Sequence, residues 1–131
     1  MRALAKINTK YKTEIHARDH LILADEPEEN GGQNSGPSPG DLLRSSLASC
    51  TAITLKMYAD RKGWNVGEIS VDVEYRKNLS HFEPNFRVAI SFENENLNEG
   101  QLKRLEIIAN KCPIHKVLSQ GHEIQVKIIE P

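Results

Sequence analysis

Apolar and polar positions change rhythm several times along the 131 residues, and each rhythm predicts an element. Three short segments open the chain: ALAKI, KTEIHA and HLILAD. Each carries some apolar alternation, and Asn8 and Asp19 mark turns between them, which predicts an antiparallel meander. Then the alternation stops. EPEENGGQNSGPSPG, residues 26–40, is rich in Gly, Pro, Asn and Ser and reads as a loop. At 15 residues it is long for a compact domain, and loops of that length are often functional.

A spacing of three and four follows. Pro39 to Lys62 predicts a long helix with Ser38 as N-cap, Pro39 in the first helical position and Asp41 at the positive end. Leu43, Leu47, Cys50, Ile53 or Thr54, and Met57 form an apolar stripe. Ser46, Ala48 and Ser49 beside it allow close packing. Gly63 ends the helix after Arg61 and Lys62. Alternation returns in GEISVDVEYRK and again from Phe86 to Phe92, predicting two strands of a hairpin that turns across 78–85. NEGQLKRLEIIANKC predicts an amphipathic helix, capped by Asn98 with Gln101 three residues on. A shorter helix runs from Pro113 to Gln120, Gly121 stops it, and HEIQVKI is a final strand. The order β-β-β-α-β-β-α-α-β is that of an α+β fold with a mostly antiparallel sheet.

The length fits one domain, residues 1–131, able to bury a core without staples. A net charge of -1 and the lack of any long run of one sign exclude a general field for nucleic acid. No apolar stretch approaches the about 20 residues of a membrane span. The opening residues MRALAKINTKYKTE lack the apolar core of a signal peptide. The expectation is a cytoplasmic protein that binds neither membrane nor nucleic acid. Its thiols then live under reducing conditions, which argues against a permanent structural disulfide.

That leaves two cysteines to explain. Cys112, in KCPIHKVLSQG, precedes a proline suited to a first helical position. As N-cap it would face unpaired N–H groups and the positive helix end, which lowers a thiol from its usual pKa of about 8.5. Lys111 and His115 would add positive potential. The plainer reading is a small buried hydrophobe. Cys50, in SSLASCTAITL, sits on the apolar stripe, where an inert core residue is the ordinary reading. As a nucleophile it needs a nearby cation, and Arg18 in HARDH is the candidate. Arg44 is six residues before Cys50, about 600° round the helix, on another face. A metal site could draw on Cys112, His115, His16, His20, His81 and His122, but zinc sites usually show a second close ligand pair. A cysteine–histidine hydrolase pair of Cys50 and His115 finds no candidate oxyanion hole.

GPSPGDLLRSSLASCTAITLKMYADRKG, followed by alternating strands and KCPIHKVL, resembles the OsmC/Ohr family of osmotically induced and organic hydroperoxide resistance proteins. The resemblance covers nearly the whole chain and both cysteine motifs. It implies antiparallel sheets packed on a long central helix in an intertwined homodimer, with thiol peroxidase activity on organic hydroperoxides, an external dithiol reductant and no cofactor. By that resemblance Cys50 is the peroxidatic cysteine, Cys112 the resolving one and Arg18 the activating arginine. One position departs. The family's enzymes usually place a glutamate after the helix-opening proline, where it pairs with the arginine; here that residue is Gly40. Asp41 is the first substitute partner, ahead of Glu28 and Glu29. A non-catalytic OsmC-like protein that binds a small apolar ligand is the alternative.

Overall fold

The computed structural model describes residues 1–77 and 82–129, in two compact units, Met1–Ser45 and Ser46–Pro131. The first unit opens with the expected meander, β1 (Leu4–Ile7), β2 (Thr13–Ala17) and β3 (His20–Ala24), paired antiparallel in sequence order. The register pairs Ala17 with His20, so only Arg18 and Asp19 form the β2–β3 turn.

The long loop that follows is pinned. Asp25, just past β3, is buried, and its carboxylate accepts from the backbone N–H groups of Glu26, Gln33 and Ser35 and from the Ser35 hydroxyl. Those bonds hold its carboxyl below the ordinary range, the Ser35 hydroxyl leading and burial opposing. Two glycines let the backbone close on itself. A Cβ on Gly32 would stand 1.9 Å from the Glu26 carbonyl oxygen, and one on Gly36 would stand 2.4 Å from that of Leu23.

The helix α1 (Pro39–Lys62) has the bounds the sequence predicts. Ser38 caps it: Asp41 N–H donates to Ser38 Oγ, and Ser38 N–H donates back to the Asp41 carboxylate. Gly63, at φ +71°, ends it. The buried face differs from the expected stripe. Leu47, Thr51, Leu55, Tyr58 and Ala59 are buried, whereas Leu43, Ile53 and Met57 are exposed. The helix is apolar on more than one side, so spacing alone does not choose the face that meets this chain's own core.

In the second unit β4 (Ile69–Tyr75) pairs antiparallel with β5 (Phe86–Phe92). The register sets Ile69 against Phe92, Val71 against Ile90, Val73 against Val88 and Tyr75 against Phe86, which keeps the apolar residues on one face. Part of the expected turn, 78–81, lies outside the described residues. The helix α2 (Glu99–Ala109) begins with the predicted capping box of Asn98 and Gln101. α3 (Pro113–Ser119) follows. The core joins Leu55, Tyr58, Ala59, Val66, Leu105, Ile108 and Ala109, with Trp64, Ile90 and Phe92 packed against it.

The predicted ninth element is not formed within this chain. Residues 121–129 carry no regular secondary structure, and Ile124, Val126 and Ile128 are 86%, 87% and 97% exposed. Their alternation is that of a strand, but among the described residues no strand pairs with them.

Candidate active site

Cys50 lies mid-way along α1 and is half-buried; Cys112, at 0% exposure, is the N-cap of α3 with Pro113 in the first helical position. These residues stand 62 positions apart in sequence. The fold brings their side chains close enough to shift each other's titration, and both are free thiols. A pair placed by the fold in this way is a redox-capable arrangement.

The pair is electrostatically unequal. Burial pushes the Cys50 thiol up, and the Cys112 side chain adds to it; the Ile114 N–H and Thr54 pull the other way. At Cys112 burial also resists charge, but it is outweighed by the Cys50 side chain, the His115 N–H, the Thr51 hydroxyl and the Ile114 N–H. The thiol of Cys112 is therefore held down. Cys112 stands at the N-cap of α3, but the Cys50 side chain leads in holding its thiol down, and His115 acts through its backbone N–H. Thr51 and Thr54 are residues that sequence reasoning missed. Their signal was there, since hydroxyls one and four residues after Cys50 in CTAIT lie within a turn of it.

A cavity of about 130 Å³ is lined by Leu47, Phe86, Val88, His115, Leu118 and Ser119. Leu47 precedes Cys50 by three residues on α1, and His115 follows Cys112 by three on α3. Its lining is mainly apolar, with one imidazole and one hydroxyl among the lining groups. Ile53 and Met57, expected near the thiols as apolar neighbours, are exposed.

Arg18 sits in the β2–β3 turn at φ +54°, a left-handed conformation that side-chain-bearing residues adopt at a cost of order 1–2 kcal/mol. Among the described residues it forms no ion pair. Its first-choice partner, Asp41, is engaged elsewhere: the carboxylate accepts from Ser38 N–H and pairs with Arg44. Those contacts, Ser38 first, hold the Asp41 carboxyl below its ordinary value. Among the described residues no three of His, Cys, Asp or Glu come together as a metal site requires; His81 lies outside them.

The model of the OsmC-like protein family matches residues 32–127, a span that holds both cysteines. No curated protein matches the sequence. Among solved structures the fold is similar to a Psychrobacter arcticus protein named for osmotic stress induction and detoxification response. There the identity is 25%, the TM-score 0.73, and 88% of this chain and 85% of that one are covered. An OsmC-like protein of Mycoplasma pneumoniae gives 19% identity and a TM-score of 0.68, over 90% of this chain and 86% of that one. An organic hydroperoxide resistance protein of Bacillus subtilis gives 18% and 0.55, over 88% and 87%.

Proposed function

The chain belongs to the OsmC-like protein family, and from that premise we propose that it is a thiol-dependent peroxidase acting on organic hydroperoxides. One observation carries the reading: two free thiols, far apart in sequence, brought together so that each shifts the other, with Leu47 and His115, each three residues from a thiol, lining a small apolar cavity. Cys50 is the peroxidatic residue, because it is the one with exposed surface; Cys112 is fully buried and meets no peroxide first.

The Cys50 thiolate attacks the distal peroxide oxygen, the O–O bond breaks and the alkoxide leaves as the alcohol after taking a proton. Cys50 is oxidised to a sulfenic acid. The Cys112 thiolate then attacks that sulfur, forming the disulfide and releasing hydroxide, which is protonated to water. An external dithiol reduces the bond by exchange. Because Cys50 is pushed up in the pair, it needs a cation to ionise, and Arg18 is assigned that part by its match to the family motif. Asp41 acts as the helix cap in this reading. An apolar cavity favours alkyl peroxides over hydrogen peroxide, since burying each CH2 is worth about 0.8 kcal/mol. No cofactor enters.

The working unit in this proposal is a cytoplasmic homodimer, which the unpaired alternation of residues 122–128 supports. The family match crosses the division at Ser45, which supports reading 1–131 as one OsmC-like domain. No described helix is long and apolar enough to cross a membrane. A second reading, a non-catalytic OsmC-like protein binding a small apolar ligand, draws on the unpaired Arg18 and the carboxylate-free Gly40. One equivalent of cumene hydroperoxide decides between them. The peroxidase loses both thiols and two hydrogens of mass as the peroxide is consumed; the binding protein keeps both thiols.

A further inference from the structure

Eight residues beyond Cys50 on α1, Tyr58 is 6% exposed, its ring in a T-shaped contact with Trp64. Three cations converge on that ring. The guanidinium carbons of Arg61 and Arg104 and the Nζ of Lys62 each lie 5.7 Å from its centroid. The three charges therefore gather around a single ring, each at the same distance from its centre. The helix dipole accounts for Arg61 and Lys62, in the last turn of α1. It does not account for Arg104, which comes from α2 and donates through Nε to Tyr58 Oη at 3.0 Å. Among the described residues none of the three cations has a carboxylate partner. Two acids on the same helices are committed, Asp60 to Lys56 on α1 and Glu99 to Lys103 on α2. The phenol's own hydrogen finds no acceptor among the described residues either. The hydrogen-bonding capacity left at this spot is that of donors: two guanidinium forks, an ammonium and an O–H. The positive field registers on the phenol, which the Arg104 hydrogen bond, ahead of burial, holds below its ordinary value.

We propose that Tyr58, Arg61, Lys62 and Arg104 form an oxyanion site for the phosphate group of a small molecule. Guanidinium forks match phosphate oxygens two at a time, and a dianion would relieve the repulsion among three unpaired cations. The bond to Tyr58 fixes the Arg104 fork, leaving both of its Nη groups available. Nucleic acid does not fit, because a phosphate backbone calls for a stripe of basic residues and the chain carries a net charge of -1. The site is about 12 Å along the helix from Cys50, so it is separate from the thiol pair.

The test titrates inorganic phosphate, and separately adenosine monophosphate, into the full-length protein at low ionic strength. Binding is read by NMR at the arginine Nε–H and Trp64 indole signals, with chloride at matched ionic strength as the control. Saturable shifts are expected with phosphate and with the monoester. R104Q weakens both by about tenfold, R61Q and K62Q by less, and K103Q leaves both unchanged. R104K, which keeps the charge but loses the fork, gives an intermediate loss and guards against misfolding of R104Q. Shifts that track chloride, or R104Q binding as tightly as wild type, overturn the proposal. So does phosphate binding from which the monoester is excluded. A change of sedimentation in R104Q with no saturable phosphate effect overturns it too, giving the cations to a contact between copies.

Discussion

The interaction between the Cys50 and Cys112 thiols pulls them in opposite directions, Cys50 up and Cys112 down. Two interacting groups titrate as a pair. The first proton to leave puts the charge on Cys112, which Thr51 and two backbone N–H groups stabilise. The thiol that has exposed surface keeps its proton. A cation beside Cys50 would move the charge to the thiol a peroxide can reach.

The titration follows with its sign. Thiolate ultraviolet absorbance in the reduced protein should rise in two steps, one below the ordinary thiol value for Cys112 and one above it for Cys50. Replacing Cys112 with Ala removes a contact that raises Cys50, so the remaining step should fall below the upper step of wild type. Thr51→Val, nearly isosteric and buried, should raise the lower step and slow disulfide closure by about threefold. One step at the ordinary thiol value in wild type would sink this account.

Substitution of the two cysteines should separate their roles. Cys50→Ser is expected to lose organic hydroperoxide turnover by about a thousandfold or more, since the nucleophile itself is gone. Cys112→Ser should consume one equivalent of peroxide and stop, with one oxygen added at Cys50 by intact mass. Peroxide consumed by Cys50→Ser at the wild-type rate would exclude Cys50 as the nucleophile.

Asp25 gives a prediction about acid stability. Its folded pKa lies below the ordinary value, so its contribution is complete above the unfolded pKa near 4 and is lost as pH falls through the folded one. Asp25→Asn should therefore lower the melting temperature at pH 7 by roughly 5 °C or more and flatten its fall on acidification. Unchanged melting at pH 7 would mean the carboxylate does not hold the 26–36 loop.

Much of this was legible in the sequence. The meander, the bounds of α1, the capping box of α2 and the β4–β5 pairing follow from local rhythm and cap chemistry, which act within a few residues. The candidate thiols were legible as well, because cysteine is rare here and Cys-Pro marks a helix start. The pinned loop was not. Asp25 reads as the end of a strand, and the loop's order comes from donors eight and ten residues away. The buried face of α1 was missed for a related reason: Leu55 and Tyr58 are selected by α2 and the sheet, not by their neighbours in sequence. Asp41 illustrates a local competitor, since Ser38 and Arg44, both three residues away, engage it.

The last prediction concerns residues 122–128, in which Ile124, Val126 and Ile128 alternate with Glu123, Gln125 and Lys127. Three branched apolar side chains on one face, all well exposed in this chain, are what a strand keeps when its partner edge belongs to another molecule. Burying each is worth about 1.5–3 kcal/mol, so together they contribute strongly to self-association. Sedimentation of wild type should give twice the 14.7 kDa chain mass. Val126→Asp should weaken the dimer by about tenfold or more, because it trades a buried methyl pair for a charge. Gln125→Asp, on the opposite face, should leave the dimer intact. Equal loss from both substitutions would mean that charge, not strand register, controls association. A wild-type protein sedimenting at 14.7 kDa at micromolar concentration would remove the interface from the proposed mechanism.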